Sequence, residues 1–518
     1  MARTTRIVPN CYRDSVSLMQ LSASVAKMPG VSDASAIMAT EGNLALLREA
    51  GLLREKMAPR PSDLLILIEG RSDAAVAKAL ERAGALLKEE PRGEAAGTAA
   101  AAEAPRSIER AVAGAPAANL ALISVPGEYA AAEAMKALRL GLAVMLFSDN
   151  VSLEDEIALK RYARERKLLL MGPDCGTAII DGVPLGFANR VRAGEIGCIA
   201  GSGTGLQQVT CLVDAMGQGI SQAIGTGGRD LAAEVGGVTT LQALKALAAD
   251  RGTRVIVLIS KPPAPAVARK VLAAAAKAGK PVVVNFIGAD PASVTGANLH
   301  FARTLEDAAR LAVALMKGRK SAARMQPLPP LPRLAAGQRY VRGLYSGGTF
   351  ACEAAMLLGE SVGRVWSNTP LRAEDELADP WQSREHTVVD LGDDAFTRGR
   401  PHPMIDHRLR NERMLREAGD AGTAVILLDV VLGHGSHADP AAEMAPAIRA
   451  ARARAAKAGR RLAFVGFVCG TERDPQDLAQ QSAALQKAGV ILAPSNAAAV
   501  RIAAAIVKRA AGKKGAKK

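Results

Sequence analysis

Aromatic side chains are scarce in this 518-residue chain, 3% against 49% hydrophobic residues overall. A core of small and branched aliphatics suits packed α/β layers and argues against an aromatic-rich β sandwich. Paired cysteines are missing too. The six cysteines, Cys11, Cys175, Cys198, Cys211, Cys352 and Cys469, show no C-x-x-C spacing, so neither a zinc ribbon nor a dithiol redox centre is supported and reduced thiols are expected. No apolar run reaches the ~18 residues of a membrane span, and "MARTTRIVPNCYRDSVSLMQ" lacks the apolar core of a signal peptide. The expectation is a soluble cytoplasmic protein with no membrane partner.

The net charge of +15 includes six cations in the tail from Lys508 onward, with the remainder spread along the chain. With few aromatics to stack bases and no recognised module, nucleic acid is not an expected partner. Attraction of small anions is the preferred meaning of the charge.

The length suits roughly three domains at ~150 residues each. Residues 1–87 alternate strand-like and helix-like segments, among them the buried strand "SDLLILIEG", and read as a small α+β unit. Residues 88–107 form an Ala, Glu, Gly and Pro low-complexity linker. From Asn119, apolar strands without polar alternation are separated by helices of about 12 to 15 residues, the pattern of parallel sheets buried on both faces. The divisions fall at 108–190, 191–324, a Pro-rich linker at 325–338, 339–508 and a basic tail at 509–518.

Three glycine-rich strand-to-helix turns stand out: Gly201, Ser202, Gly203, Thr204 and Gly205; Gly225, Thr226, Gly227 and Gly228; and Ser346, Gly347, Gly348 and Thr349. Backbone N–H groups at such turns favour anions, and the hydroxyls add donors. Neither G-x-x-x-x-G-K-[ST] nor G-x-G-x-x-G is complete, which argues against a Walker-type ATPase and weakens a dinucleotide reading. In the C-terminal third, "DLGDDAFTRGRPHPMIDHRLRNER" and "GTERDPQ" concentrate polar groups. Arg400, Arg408 and Arg473 can fork onto oxyanions, and His402 and Asp406 can donate or accept a proton. His434 and His437 have no metal-ligand spacing, and no metal is expected. Cys175 has no histidine near it in sequence and reads as a buried small residue rather than a nucleophile.

The segments "ISVPGEYAAAEAMKALRLGLAVMLFSDNV", "MGPDCGTAI", "GCIAGSGTGLQQ" and "AIGTGGRDL" resemble the α subunit of succinyl-CoA synthetase. Taken with "VLISKPPAP", "YSGGTF", "HPMIDHRLRN" and "GTERDPQ", they resemble the FdrA family from about Asn119 to the end. That resemblance implies a Rossmann-like CoA-binding domain at 108–190 and two flavodoxin-like, succinyl-CoA synthetase-like domains, α-like at 191–324 and β-like at 339–508. It implies one subunit of an oxamate carbamoyltransferase in purine and allantoin catabolism. Such a subunit interconverts oxalurate, or a related ureido acid, plus phosphate with oxamate plus carbamoyl phosphate.

The site expected on this basis has His402, Asp406 and Arg473 as catalytic residues and the three glycine turns on phosphate. Asp174, Cys175, Gly176, Arg408 and Glu472 are expected on substrate. No cofactor is required, CoA is possible, and the partners are other subunits of the pathway or a second copy of the chain. The synthetase's phosphohistidine segment, G-H-A-G-A, has no counterpart after "KPVVVNFIGAD", where only His300 occurs, and residues 1–85 are too few for a nucleotide-grasping domain. The alternatives are an acyl-CoA synthetase acting with a separate nucleotide-binding subunit, and a non-catalytic anion-binding scaffold.

Overall fold

The computed structural model describes residues 2–11, 13, 15–40, 43, 44, 59–88, 105–319, 327–397 and 400–512. Most of the linker at 88–107, the start of the one at 325–338, and the tail beyond 512 lie outside them. Among the described residues the mixed α/β architecture comprises four sheets.

In the N-terminal unit β1 (Ala2–Val8) and β2 (Val31–Met38) flank β3 (Leu64–Gly70), both antiparallel to it. The apolar run of β3 is used on both faces. Leu64, Ile66 and Ile68 pack under the helices Ser15–Ala26 and Asp73–Lys88, while Leu65 and Leu67 turn to a second small core with Ala39 and Leu44. A side-chain period of two produces that division.

Next, β4 (Leu120–Ile123), β5 (Ala143–Leu146) and β6 (Leu170–Met171) form a parallel sheet. The seven-stranded sheet that follows contains β7 (Thr177–Ile180), β8 (Val183–Gly186), β9 (Ala193–Ala200), β10 (Ile220–Gly225), β11 (Val255–Ser260), β12 (Val282–Phe286) and β13 (Leu299–Phe301), in the order β13-β12-β11-β9-β10-β7-β8. The division read at 190/191 does not coincide with the sheet edge. The hairpin β7–β8 adds antiparallel to β10 and so joins the second sheet rather than the first.

The C-terminal sheet is parallel throughout: β14 (Tyr340–Tyr345), β15 (Trp366–Ser367), β16 (Thr387–Asp390), β17 (Thr423–Val431), β18 (Ala463–Cys469) and β19 (Val490–Ala493), ordered β15-β16-β14-β17-β18-β19. Every residue of β17 is buried, as a central strand covered by helices on both faces requires.

The last two sheets share one continuous core, in which Ile196, Leu206 and Val209 join Phe350, Ala354 and Phe467. Buried polar bonds fix the domains' mutual orientation. Glu353 accepts from Leu305 N (2.7 Å) and Asn496 Nδ2 (2.8 Å), and Asn189 Nδ2 donates to Asp474 Oδ2 (2.7 Å). Burial pushes the Glu353 carboxyl up to about 7. A carboxyl whose folded pKa is raised holds its proton longer in the folded chain, so its contribution to stability is lost as pH rises through the folded value. The Glu353 contribution is therefore expected to fall between about pH 4.5, the unfolded value, and pH 7. Urea unfolding at pH 5.5 and 8 is expected to show the higher midpoint at 5.5.

Candidate anion-binding and acyl-transfer site

The carboxyl ends of the two large sheets face each other across a cavity of about 360 Å³. On one wall β9 runs into Gly201 and Ser202, and the helix Gly203–Ala215 begins; on the other β14 runs into Ser346 and Gly347, and the helix Gly348–Val362 begins. Each helix N-terminus presents unpaired N–H groups and about half a positive charge, so two of them opposed make a strong anion site.

Ser202 caps the first helix, its Oγ accepting from Gly205 N at 2.9 Å, and shares a hydrogen bond with Thr349 Oγ1 at 2.5 Å across the gap. Gly205 lies beneath this contact. A Cβ there would stand 2.6 Å from Ser202 Oγ and 3.2 Å from the Thr349 methyl, so Gly205→Ala would separate the two walls. The cap alone is worth about 1 kcal/mol, and Ser202→Ala is expected to lower the thermal midpoint slightly while weakening phosphate binding about tenfold, by calorimetry.

Behind Ser346 lies a buried ion pair. Arg410 Nη1 donates to Asp429 Oδ1 at 2.7 Å, and Asp429 accepts from Ser346 N (2.9 Å) and Ser346 Oγ (2.7 Å). Both partners are fully buried. Arg410→Met would strand the carboxylate, and a loss of about 3 to 5 kcal/mol in unfolding free energy is expected.

The remaining lining is charged and titratable. Lys261, just beyond β11, is the one lysine or arginine lining the cavity among the described residues. Asp390 ends β16, is nearly buried, and accepts from Gly392 N at 2.9 Å. Burial raises its pKa to about 6, with Lys261 opposing the shift. Asp174 is open to the cavity but walled in elsewhere; that enclosure, with the Asp149 carboxylate beside it, raises its pKa to about 7. A Cβ on Gly228 would stand 3.1 Å from Asp174 Oδ2.

His402 closes the far side, with its ring 6.1 Å from that of Phe187. Its Nδ1 accepts from Met404 N at 3.2 Å, so the ring proton sits on Nε2. Burial, with Arg410 nearby, holds the imidazole down at about 4 and thus neutral at pH 7. His402 is a hydrogen-bond donor here rather than a nucleophile.

Of the residues expected at the site, Asp174, Gly176, Gly201, Ser202, Gly203, Thr204, Gly228, Ser346, Gly347, Gly348, Thr349 and His402 line this cavity. Gly205, Gly225, Thr226 and Gly227 form the layer behind it. Five of the expected residues need correction. Cys175 turns into the core, with Sγ 3.6 Å from Thr177 O and its thiol pushed up to about 12 by burial, so it holds no substrate. Asp406 and Arg408 pair with each other at 2.8 Å, and Arg408 reaches Asp33 of the N-terminal unit at 3.2 Å; they clamp that unit to the C-terminal domain. Glu472 and Arg473 are exposed on the loop after β18 and do not line the cavity. Arg473→Ala is expected to leave turnover within twofold.

His300 lies on β13, the outer strand of its sheet, away from the cavity. His434 and His437 are engaged by Arg190 and Glu443. Asp390, Lys261, Asp149 and Met19 of the N-terminal unit were not expected in the lining. Lys261 and Asp390 each sit at a strand's carboxyl end, and both fall in segments singled out in sequence, "VLISKPPAP" and "DLGDDAFTRGRPHPMIDHRLRNER".

Comparison with known proteins places this architecture. The chain is 46% identical over 499 residues to the uncharacterized protein YahF of Escherichia coli (strain K12), covering 95% of this chain and 96% of that one. The chain belongs to the YahF family. Three family profiles match this member of it: the AllF heavy metal-associated domain at 1–105, a CoA binding domain at 192–288 and CoA-ligase at 344–506. The CoA-binding match falls on the middle domain, not on the 108–190 segment expected to carry it. Residues 1–105 contain one cysteine, Cys11, and no histidine, which does not fit a thiolate or imidazole site for a heavy metal.

The succinate–CoA ligase α subunit of Staphylococcus epidermidis RP62A is 29% identical over 148 residues, 28% of this chain and 48% of that subunit, so the chain spans about half the length of this relative. A dinucleotide-forming acetyl-coenzyme A synthetase 1 of Ca. Korarchaeum cryptofilum, solved with phosphate and ADP, superimposes with a TM-score of 0.32 at 16% identity, over 76% of this chain and 83% of that one. By the CoA binding and CoA-ligase profiles, the YahF-family chain has a succinyl-CoA synthetase-like CoA-ligase fold. No helix among its described residues is long and apolar enough to cross a membrane.

Proposed function

We propose that this chain is the FdrA-type subunit of a cytoplasmic carbamoyltransferase, working with other subunits of its pathway. It would interconvert oxalurate, or a related ureido acid, plus phosphate with oxamate plus carbamoyl phosphate. The observation that supports this reading is the mixed polarity of the cavity lining, which holds both anion-binding donors and carboxylates. The lining offers donors, at two helix N-termini, the Ser202 and Thr349 hydroxyls, Lys261 and the Nε2–H of His402, together with carboxylate acceptors in Asp174, Asp149 and Asp390, of which Asp390 lies beside Lys261 at the start of the second helix. Phosphate and a carboxylate suit donors, whereas the N–H groups of a ureido acid suit carboxylate acceptors. At about 360 Å³ the cavity is at the small end of the ~300–1,000 Å³ range of ligand sites.

In this mechanism a phosphate oxygen held between the helix N-termini attacks the ureido carbonyl carbon. The tetrahedral oxyanion is met by backbone N–H groups and His402 Nε2–H. The bond from that carbon to the oxamate nitrogen then breaks, and the nitrogen takes a proton from Asp174, which recovers it from the phosphate hydroxyl. Protons balance, and no cofactor is required. A protein nucleophile is not used, in keeping with the donor tautomer of His402 and the inward-facing Cys175.

A second reading is an acyl-CoA ligase acting with a separate nucleotide-binding subunit, favoured by the CoA-binding and CoA-ligase matches. The deciding experiment co-expresses the chain with its genomic neighbours and assays two reactions. Carbamoyl phosphate formed from oxalurate and inorganic phosphate, dependent on this chain, supports the first. Thioester formed only with ATP and CoA replaces it with the second.

A further inference from the structure

Lys160 lies in the helix Leu153–Glu165 of the three-stranded domain, outside the cavity lining, and is about 1% exposed. It crosses into the middle domain. Its Nζ is 2.6 Å from Asp230 Oδ1 and donates to the carbonyl of Thr226 at 3.1 Å, and it is ion-paired with Glu156 at 3.1 Å. Asp230 is itself saturated, accepting from Thr239 N (3.1 Å), Thr240 N (2.9 Å) and Thr240 Oγ1 (2.7 Å). Glu156 also accepts from Arg229 Nε at 2.9 Å.

Burying a lysine and two carboxylates is a poor route to stability, because desolvation offsets most of the attraction. What the arrangement does secure is orientation. In a planar trans peptide the C=O and the next N–H point in opposite directions. Fixing the Thr226 carbonyl on Lys160 therefore turns the Gly227 N–H away from the lysine. Gly227 adopts a φ of +86°, left-handed and suited to glycine, and Gly228 follows in the cavity wall. The Thr226 hydroxyl is fully buried with no protein partner, and it lies beside Gly201, where a Cβ would be 3.6 Å from it. An unpartnered buried hydroxyl next to a Gly227 amide turned away from Lys160 is a donor set lacking its acceptor.

We infer that Lys160 is a positioning residue that presets the 225–228 loop for an oxyanion of the phosphate in the cavity. This rests on the proposed phosphate site but not on the identity of the ureido substrate. The test uses the full chain and inorganic phosphate. Lys160→Met, followed by calorimetry, is expected to weaken phosphate binding at least tenfold, with the KM for oxalurate within twofold of wild type. Since stranding Asp230 and Glu156 endangers folding, the triple variant Lys160→Met, Asp230→Asn, Glu156→Gln is measured in parallel, and the same tenfold loss is expected.

Hydrogen exchange on the wild-type chain gives an independent readout: added phosphate should protect the Gly227 and Gly228 amides. A folded variant with wild-type phosphate affinity, or no protection of those amides in wild type, overturns the inference. Wild type that binds phosphate with protection but forms no carbamoyl phosphate would instead overturn the carbamoyltransferase reading and leave Lys160 in its role.

Discussion

Lys261→Met is expected to weaken phosphate binding by about 30- to 100-fold, the equivalent of roughly 2 to 3 kcal/mol for one charge-assisted contact. Lys261 is exposed to the cavity and lies on a strand end rather than in a core, so the fold should be unaffected. The loss should appear in the phosphate KM, with the substrate's KM changed little. The physical basis is that Lys261 supplies the one full positive charge lining the cavity among the described residues; the helix N-termini supply partial ones. An unchanged phosphate KM would remove phosphate from this cavity and favour the scaffold alternative.

The second large effect concerns Asp174. As the proton donor to the departing nitrogen, it must begin protonated, and with a pKa of about 7 half the molecules do so at neutral pH. Asp174→Asn keeps the size and removes the proton, so kcat should fall about 10²- to 10⁴-fold, the usual worth of a general acid. The sign of the pH dependence follows. Wild-type turnover should decline as pH rises through 7, and the residual activity of Asp174→Asn should lack that limb. Inorganic phosphate also changes charge near neutrality, so the informative quantity is the ratio of variant to wild type at each pH. A constant ratio from pH 6 to 8.5 would assign Asp174 to binding rather than proton transfer.

His402 behaves differently. Its imidazole is already neutral well above pH 4, so it adds no inflection in the physiological range. Its contribution as an Nε2–H donor is constant there, and His402→Phe is expected to lower kcat without altering the shape of the profile.

Much of the fold was legible because the signals are local. The unalternating runs of β11, β14 and β17 announce strands covered on both faces, and the glycine-rich turns mark where strands pass into helices. The glycine turns read as anion loops for the same reason, since backbone amides at a strand-to-helix turn need no distant partner. The sequence by itself thus determined layered α/β domains and the turns at which their strands pass into helices.

Only the tertiary structure decided which of these loops meet. Ser202 and Thr349 are 147 positions apart, yet their hydroxyls are in contact because the two large domains share one core and lock through Glu353 and Asn189. Asp406, Arg408 and Arg473 have the right chemistry but are turned elsewhere, two into an interdomain clamp and one into solvent. Lys261 and Asp390 fall in segments that stand out in sequence, yet nothing local to them shows that they meet in one cavity. The physical reason is that a side chain's type is written locally, whereas its pKa, its partners and its access to a ligand depend on domain packing between segments far apart in the chain.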